Sequence, residues 1–198
     1  MDSIAVFLEN QKEKLAKISF LTTIILSFYP SMLFSTTLTS PLGDIIALAD
    51  EKYLYLFEFS DHRELDQRIA TLEKTLETKK ESGTNAILTQ TKKELEEYFA
   101  GKRKTFTLPL APYGTLFQMK AWKALEAIPY GETRSYLEEA SMIGNPKAVR
   151  AIGGANHANP IPIIIPCHRV IGKSGKLVGY GGGLERKIWL LEHEKKYK

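Results

Sequence analysis

Between Leu33 and Phe59 the chain is strand-like: short apolar runs are divided by clusters of turn residues. Ser40-Pro41-Leu42-Gly43 and Asp50-Glu51-Lys52 punctuate them, leaving Ile45–Ala49 and Tyr53–Phe59 as segments of an antiparallel meander. The period then lengthens. Leu65, Ile69, Leu72 and Leu76 recur at helical spacing with charge on the other face, which predicts an amphipathic helix. Glu81 to Asn85 reads as a polar loop. Ile87, Leu88, Thr91, Leu95, Tyr98 and Phe99 mark a second helix, closed by Gly101. A short strand, Phe106 to Leu110, leads into the linker Ala111-Pro112-Tyr113-Gly114, which predicts a boundary between domains at 33–111 and 112–198.

Beyond the linker the signals are helical. Thr115 with Gln118 forms a capping box, and Phe117, Ala121, Ala124, Leu125 and Ile128 give the helix it opens a buried stripe. Ser135 with Glu138 is a second capping box, opening a short helix from Tyr136 to Met142. Gly144 makes a turn. Asn145, with Pro146 at the first helical position, predicts a further helix from Pro146 to about Gly154. Helix, glycine turn, helix is the helix-turn-helix pattern, in which the second helix enters a DNA groove. That helix would carry Lys147 and Arg150 in its first turns. Its small residues Ala148, Ala151, Gly153, Gly154 and Ala155 permit close approach either to DNA or to a packed strand. A hairpin turn at Gly172 and Ser174-Gly175 follows, then the flexible run Gly179-Tyr180-Gly181-Gly182-Gly183. The last helix, Leu184 to Glu194, is expected to pack Ile188, Trp189 and Leu191.

Residues 1–32 fit this scheme poorly. Lys12, Lys14 and Lys17 precede an apolar run from Ile18 to Phe34 that Thr22, Thr23, Ser27, Pro30 and Ser31 interrupt. A secretory signal would begin this way, but Glu9 and Glu13 sit in its positive region and no small-residue cleavage site follows. The run is also short of the ~20 residues that span a bilayer. This extension is expected to precede the native start, with Met32 as the initiating residue.

Charge divides the chain. Residues 1–109 carry 14 Lys and Arg against 16 Asp and Glu, a balance of −2, whereas residues 110–198 carry 13 against 7, a balance of +6. A basic C-terminal half suits a phosphate-bearing partner. The single cysteine, Cys167, excludes an intramolecular disulfide and a Cys-rich zinc site. A functional thiol needs a reducing compartment, which points to the cytoplasm. His157, His168, His193 and Glu194 offer no pair at helical ligand spacing, so no metal is expected.

Chemistry concentrates between Asn159 and Gly172, in the string N-P-I-P-I-I-I-P-C-H-R-V-I-G. Ile163, Ile164 and Ile165 read as a buried strand that Pro166 ends, so Cys167 should sit where the chain turns out of the core, beside His168. A thiol there, with an imidazole nearby, should ionise more readily than one in an apolar interior. A free cysteine is also commonly just a small buried hydrophobe. The whole string, with Asn159 eight residues ahead and W-L-L-E-H-E after the glycine run, resembles the methylated-DNA–protein-cysteine methyltransferases, the O6-alkylguanine-DNA alkyltransferases. The resemblance runs from about Ser40 to the end and is dense from Thr115 to Glu194.

That resemblance implies an α/β N-terminal domain of ribonuclease-H-like shape and a mainly α, winged-helix-like C-terminal domain. It also implies a monomer acting on double-stranded DNA that carries alkylated guanine, with no cofactor and no membrane. Cys167 would be the nucleophile and permanent alkyl acceptor, His168 a base acting through a water, and Glu194 the carboxylate that orients it. Asn159 would brace the turn before the cysteine. Tyr136 would donate to the flipped guanine, and Arg150 would fill the vacated stack, with Lys147 beside it on the DNA. The backbone around Tyr180 and Gly181, with the carbonyls near Cys167 and Val170, would read the base edge. Many relatives carry a serine where this chain has Gly181, which leaves only the amide there. Members that bind damage without repairing it carry tryptophan in place of the cysteine, and this chain does not. A DNA-binding module without chemistry would not need Cys167, His168 and Glu194 together, and a cysteine hydrolase would not need a basic helix-turn-helix.

Overall fold

The expected meander forms: β1 (Leu33–Leu38), β2 (Ile45–Ala49) and β3 (Leu54–Phe59) pair antiparallel in sequence order, with Phe34 opposite Ala49 and Ile45 opposite Phe59. All six residues of β3 are buried. Leu54, Phe57 and Phe59 enter the main core, while Tyr55 and Leu56 meet Leu65, Ile69 and Leu72 of helix α1 (Leu65–Thr75) in a second cluster. These elements belong to a computed structural model that describes residues 32–198; the expectations about residues 1–31 lie outside the described residues.

Two segments depart from expectation. The start of the polar loop is a strand, β4 (Lys80–Ser82), parallel to β1 at the sheet edge, in the order β3-β2-β1-β4. Its residues are all exposed, so it gave no apolar signal; only its backbone pairing makes it a strand. Conversely, Phe106–Leu110 is not a strand. Leu54 N–H donates to Pro109 O at 2.9 Å and Ala111 N–H to Leu54 O at 3.0 Å, and Pro109 has no donor with which to extend the ladder. Between these segments runs α2 (Ala86–Phe99), whose N-terminus is capped by Asn85 Oδ1 accepting from Leu88 N–H at 2.9 Å.

The C-terminal part begins with α3 (Leu116–Glu126), and the Thr115–Gln118 capping box is formed. Trp122, absent from the expected stripe, is its largest buried side chain, and its indole N–H donates to Ala155 O at 2.8 Å. Next come β5 (Arg134–Ser135), then α4 (Tyr136–Met142) with its Ser135–Glu138 capping box, and α5 (Val149–His157). α5 starts three residues later than expected: Asn145 to Ala148 is a turn closed by Ala148 N–H donating to Asn145 O at 2.9 Å. Lys147 therefore lies in that turn and not in the helix.

Ile163, Ile164 and Ile165 are buried but form no strand. Ile163 has φ of 72°, and Ile165 N–H donates to Ile161 O at 2.9 Å. Pro160, Pro162 and Pro166 supply no donors, so the segment folds on itself in place of joining a sheet. It delivers the chain to a 3-10 turn, Cys167–Arg169, and then to β6 (Val170–Ile171), parallel to β5. The expected turn at Gly172 to Gly175 is present, with Gly172 N–H on Lys176 O at 2.9 Å. The last helix, α6 (Leu184–Lys196), packs Trp189 against the core as expected, but its fully inward face is Lys187, Leu190, His193 and Glu194, with Leu191 half-buried and Ile188 exposed. Polar groups occupy that face because each finds a partner there.

Candidate active site

Cys167 follows Pro166 and opens the 3-10 turn, buried on the wall of a cavity of about 200 Å³ shared with Tyr136, Asn156, Val178, Tyr180 and Gly181. Asn159 braces it: Nδ2 donates to Cys167 Sγ at 3.2 Å and to Ile165 O at 2.8 Å, and Oδ1 accepts from Ile161 N–H at 3.0 Å. Burial pushes the Cys167 thiol up to about 12, against the Asn159 hydrogen bond and the Lys187 charge, with Glu58 and Glu139 adding to the rise. This corrects the expectation of an easily ionised sulfur. The chain does not turn out of the core at Cys167, and the site holds a neutral thiol that needs a base.

His168 can be that base. Its ring is fully buried, with Nε2 2.8 Å from Glu194 Oε1. The carboxylate accepts, so Nε2 carries the proton and Nδ1 the lone pair. Nδ1 is also buried and has no protein partner among the described residues. Burial lowers the His168 pKa, and Glu194 only partly restores it, which keeps the ring neutral.

Glu194 is held by more than the histidine. Oε1 accepts from Tyr98 Oη–H at 3.0 Å and Arg169 Nη2 at 3.0 Å; Oε2 accepts from Arg169 Nε at 2.9 Å and Gly131 N–H at 2.9 Å. Burial opposes its charge, but the bonds and charges of His168 and Arg169 outweigh burial and keep its carboxyl well below the usual range. Arg169 also donates from Nη1 to Ile128 O at 2.6 Å. Sequence reasoning missed Arg169, Tyr98 and Lys187. Arginine and lysine read as solvent-facing unless paired, and the partners are far along the chain. Lys187 is fully buried and spends its three donors on carbonyls: Val170 O at 2.6 Å, Val178 O at 3.1 Å and Gly179 O at 3.1 Å. It clips the glycine loop over the cavity to β6.

The remaining candidates separate into two places. Tyr136, Tyr180 and Gly181 line the cavity; Tyr136 Oη donates to Val178 O at 3.1 Å, and the buried Tyr180 hydroxyl has no protein partner among the described residues. Gly182 lets this loop pass Phe59, whose ring would stand 2.9 Å from an added Cβ. Lys147, in the turn between the two helices, and Arg150, on α5, are exposed and do not line the cavity. Of the metal candidates, His168 and Glu194 bind each other and His193 Nε2 meets Tyr98 O at 2.8 Å. No group of three His, Cys, Asp or Glu among the described residues is placed to hold a metal ion, and no helix among them is long and apolar enough to cross a membrane.

A buried cysteine on a cavity beside a two-helix unit, followed in sequence by a neutral histidine that an ionised glutamate holds, is an arrangement in which a thiol can accept a transferred group. Residues 33–112 match the family model described as the ribonuclease-like domain of 6-O-methylguanine DNA methyltransferase, and residues 116–196 match that of its DNA binding domain. The chain is 46% identical over 165 residues to a constitutive methylated-DNA–protein-cysteine methyltransferase of Bacillus subtilis (strain 168), covering 83% of this chain and 96% of the other. It is 46% identical over 155 residues to the methylated-DNA–protein-cysteine methyltransferase of Methanosarcina acetivorans, covering 78% and 94%. The crystal structure of the O6-methylguanine methyltransferase of Mycobacterium tuberculosis superposes with a TM-score of 0.72 at 42% identity, covering 84% of this chain and 95% of that one. A structure of the same organism's protein in complex with DNA also gives 0.72, covering 83% and 94%. The chain belongs to the methylated-DNA–protein-cysteine methyltransferase family, with an N-terminal ribonuclease-like domain and a C-terminal DNA-binding domain.

Proposed function

We propose that this protein repairs DNA by taking the alkyl group of O6-alkylguanine, and of O4-alkylthymine, onto Cys167, once per molecule. The observation that carries this is the run of contacts from Asn159 through Cys167 to the cavity, beside a neutral His168 backed by Glu194. A displacement at saturated carbon needs a thiolate, and burial keeps the resting sulfur protonated. His168 Nδ1 takes the thiol proton through a water as the lesion arrives, and the Glu194 charge stabilises the imidazolium that forms. The sulfur electron pair then forms the S–C bond. The C–O bond breaks, its electrons pass to the base, and the departing guanine takes up the proton that His168 removed from the thiol, which returns the imidazole to its neutral form. The thioether product has no thiol left to react, so the protein is consumed.

The base must leave the duplex to reach a buried sulfur, at a cost of a few kcal/mol of stacking. α4 and α5 act as a winged-helix-like DNA reader, with residues 112–198 as the DNA-binding and acceptor part and 33–111 as its scaffold. Exposed Arg150 occupies the gap in the stack and Lys147 meets phosphate. Tyr136, the Gly181 amide and the carbonyls near Cys167 and Val170 hold the extruded base. The protein works as a monomer in the cytoplasm, where the thiol stays reduced. With lesion DNA in excess, methyl transfer stops near one equivalent per protein, while Cys167→Ala binds the DNA and transfers nothing. Sustained turnover beyond one equivalent contradicts the reading.

A further inference from the structure

Glu139 is a buried carboxyl that the mechanism above does not use. It lies on α4 with no solvent exposure, in a region packed by Ala121, Ala140, Ile152 and Ala155. Its one hydrogen bond is from Asn156 Nδ2 of α5 to Oε2, at 2.7 Å. Asn156 in turn lines the cavity with Cys167. The two oxygens left over, Glu139 Oε1 and Asn156 Oδ1, are both buried and neither has a donor. Two orphaned acceptors in one pair are what a single missing proton leaves behind. A carboxylic acid and a primary amide close a ring of two hydrogen bonds when the acid is neutral, and a carboxylate cannot close it.

We propose that Glu139 carries a proton at neutral pH and, with Asn156, forms a neutral acid–amide pair that sets the cavity wall and keeps negative charge away from Cys167. This deepens the alkyl-acceptor reading and rests on it, with Glu139 as a positioning residue. Burial pushes the Glu139 carboxyl up to about 7, with the Asn156 bond as the opposing effect. Its charge, when present, raises both the Cys167 thiol and the Tyr136 hydroxyl. Among the described residues no cation pairs with it; Lys187 Nζ stands 5.8 Å from the Tyr136 ring centroid but gives its three donors to the carbonyls of Val170, Val178 and Gly179. Arg134 of β5 pairs with Glu132 at 3.0 Å and Lys123 of α3 pairs with Glu126 at 2.6 Å. Lys120 of α3 and Arg150 of α5 are exposed, His157 of α5 faces Glu64 at 3.9 Å, and β6 carries no charge. In the 3-10 turn, His168 and Arg169 are both bound to Glu194.

Because burial raises the folded pKa, the neutral pair is intact below about 7 and is lost as pH rises through it. Two readouts on the full chain test this, neither requiring alkyl transfer from DNA. Carbon-13 NMR of glutamate-labelled protein should show the Glu139 carboxyl protonated near pH 6 and ionising only around or above about 7. Alkylation of Cys167 by iodoacetamide should be slowed by Glu139→Ala and rescued by Glu139→Gln, whose amide closes the same ring with Asn156. The Gln variant should also outpace the native chain several-fold near pH 8.5 and match it near pH 6, because only the native chain gains a charge. A carboxyl ionised throughout this range, a Gln variant as slow as Ala, or a Gln-to-native ratio that does not change with pH overturns the proposal. A failure of DNA repair with these readouts intact would count against the alkyl-acceptor reading alone.

Discussion

At the scale of the residue, the site turns on how burial is offset. Cys167 is left neutral by burial, whereas Glu194 is kept charged because Arg169 and His168 together outweigh it. Glu194→Gln therefore removes the anion that Arg169 needs and leaves a buried guanidinium unpaired, a loss of about 3–5 kcal/mol. Glu194 has a depressed folded pKa, so its contribution is present above the ordinary carboxylate range and is lost as pH falls below that range toward the folded value. Denaturant unfolding should show the Gln variant weaker at neutral pH and less sensitive to acid than the native chain. A change within about 0.5 kcal/mol, the range of a neutral surface substitution, would contradict the pairing. Cys167 beside His168 stood out from the residues themselves, whereas Asn159 and Glu194 were singled out only by the family resemblance that the string 159–172 and the last helix carry. Arg169, Lys187 and Glu139 were not legible, because a hydropathy pattern assigns any charged residue to solvent and cannot see the partner that brings it inside.

At the scale of the element, the two capping boxes were read well, while the Asn145 cap and the irregular backbone were not. Both capping boxes formed where Thr115 and Ser135 placed them, since the signal and its effect lie within four residues. The isoleucine trio misled because its apolar character is real while its prolines forbid a ladder; composition reported burial, not conformation. The late start of α5 leaves Arg150 in the helix's first turn and Lys147 ahead of it, both exposed. Arg150→Ala should slow repair of lesion-bearing duplex by about tenfold, equal to losing roughly 1.4 kcal/mol of contact, and leave attack on free O6-benzylguanine within about twofold. Single-turnover rates on the two substrates decide it. Equal losses on both would place Arg150 in the chemistry and not in base extrusion.

At the scale of the whole molecule, the N-terminal domain reaches into the site through Tyr98, which donates to Glu194, and through Arg68. Arg68 of α1 donates to Glu58 Oε2 at 2.8 Å, to Asn159 O at 3.0 Å and to His157 O at 2.9 Å, so it caps the end of α5 and holds the residue that braces Cys167. Phe57 N–H of β3 adds a bond to Pro160 O at 2.9 Å. This join was invisible in the sequence, since Arg68 and Asn159 stand 91 residues apart and each has an ordinary local reading. Burial already pushes the Glu58 carboxyl up to about 7 against Arg68, so without the arginine it takes a proton and does not remain a buried anion. Arg68→Ala should then cost about 1–3 kcal/mol in thermal unfolding, the range for lost bonds to buried acceptors. Arg68→Lys should not restore it, because a single ammonium cannot span three acceptors in the plane that a guanidinium fork does. Full recovery with lysine would contradict the clamp. The central claim, that this thiol takes the alkyl group and keeps it, is tested most directly by peptide mass spectrometry after incubation with an O6-methylguanine oligonucleotide. The expected result is one stable added methyl group, located on Cys167. An unmodified Cys167 would reduce the protein to a DNA-binding module, a methyl group found on another residue would move the acceptor, and either result would contradict the account.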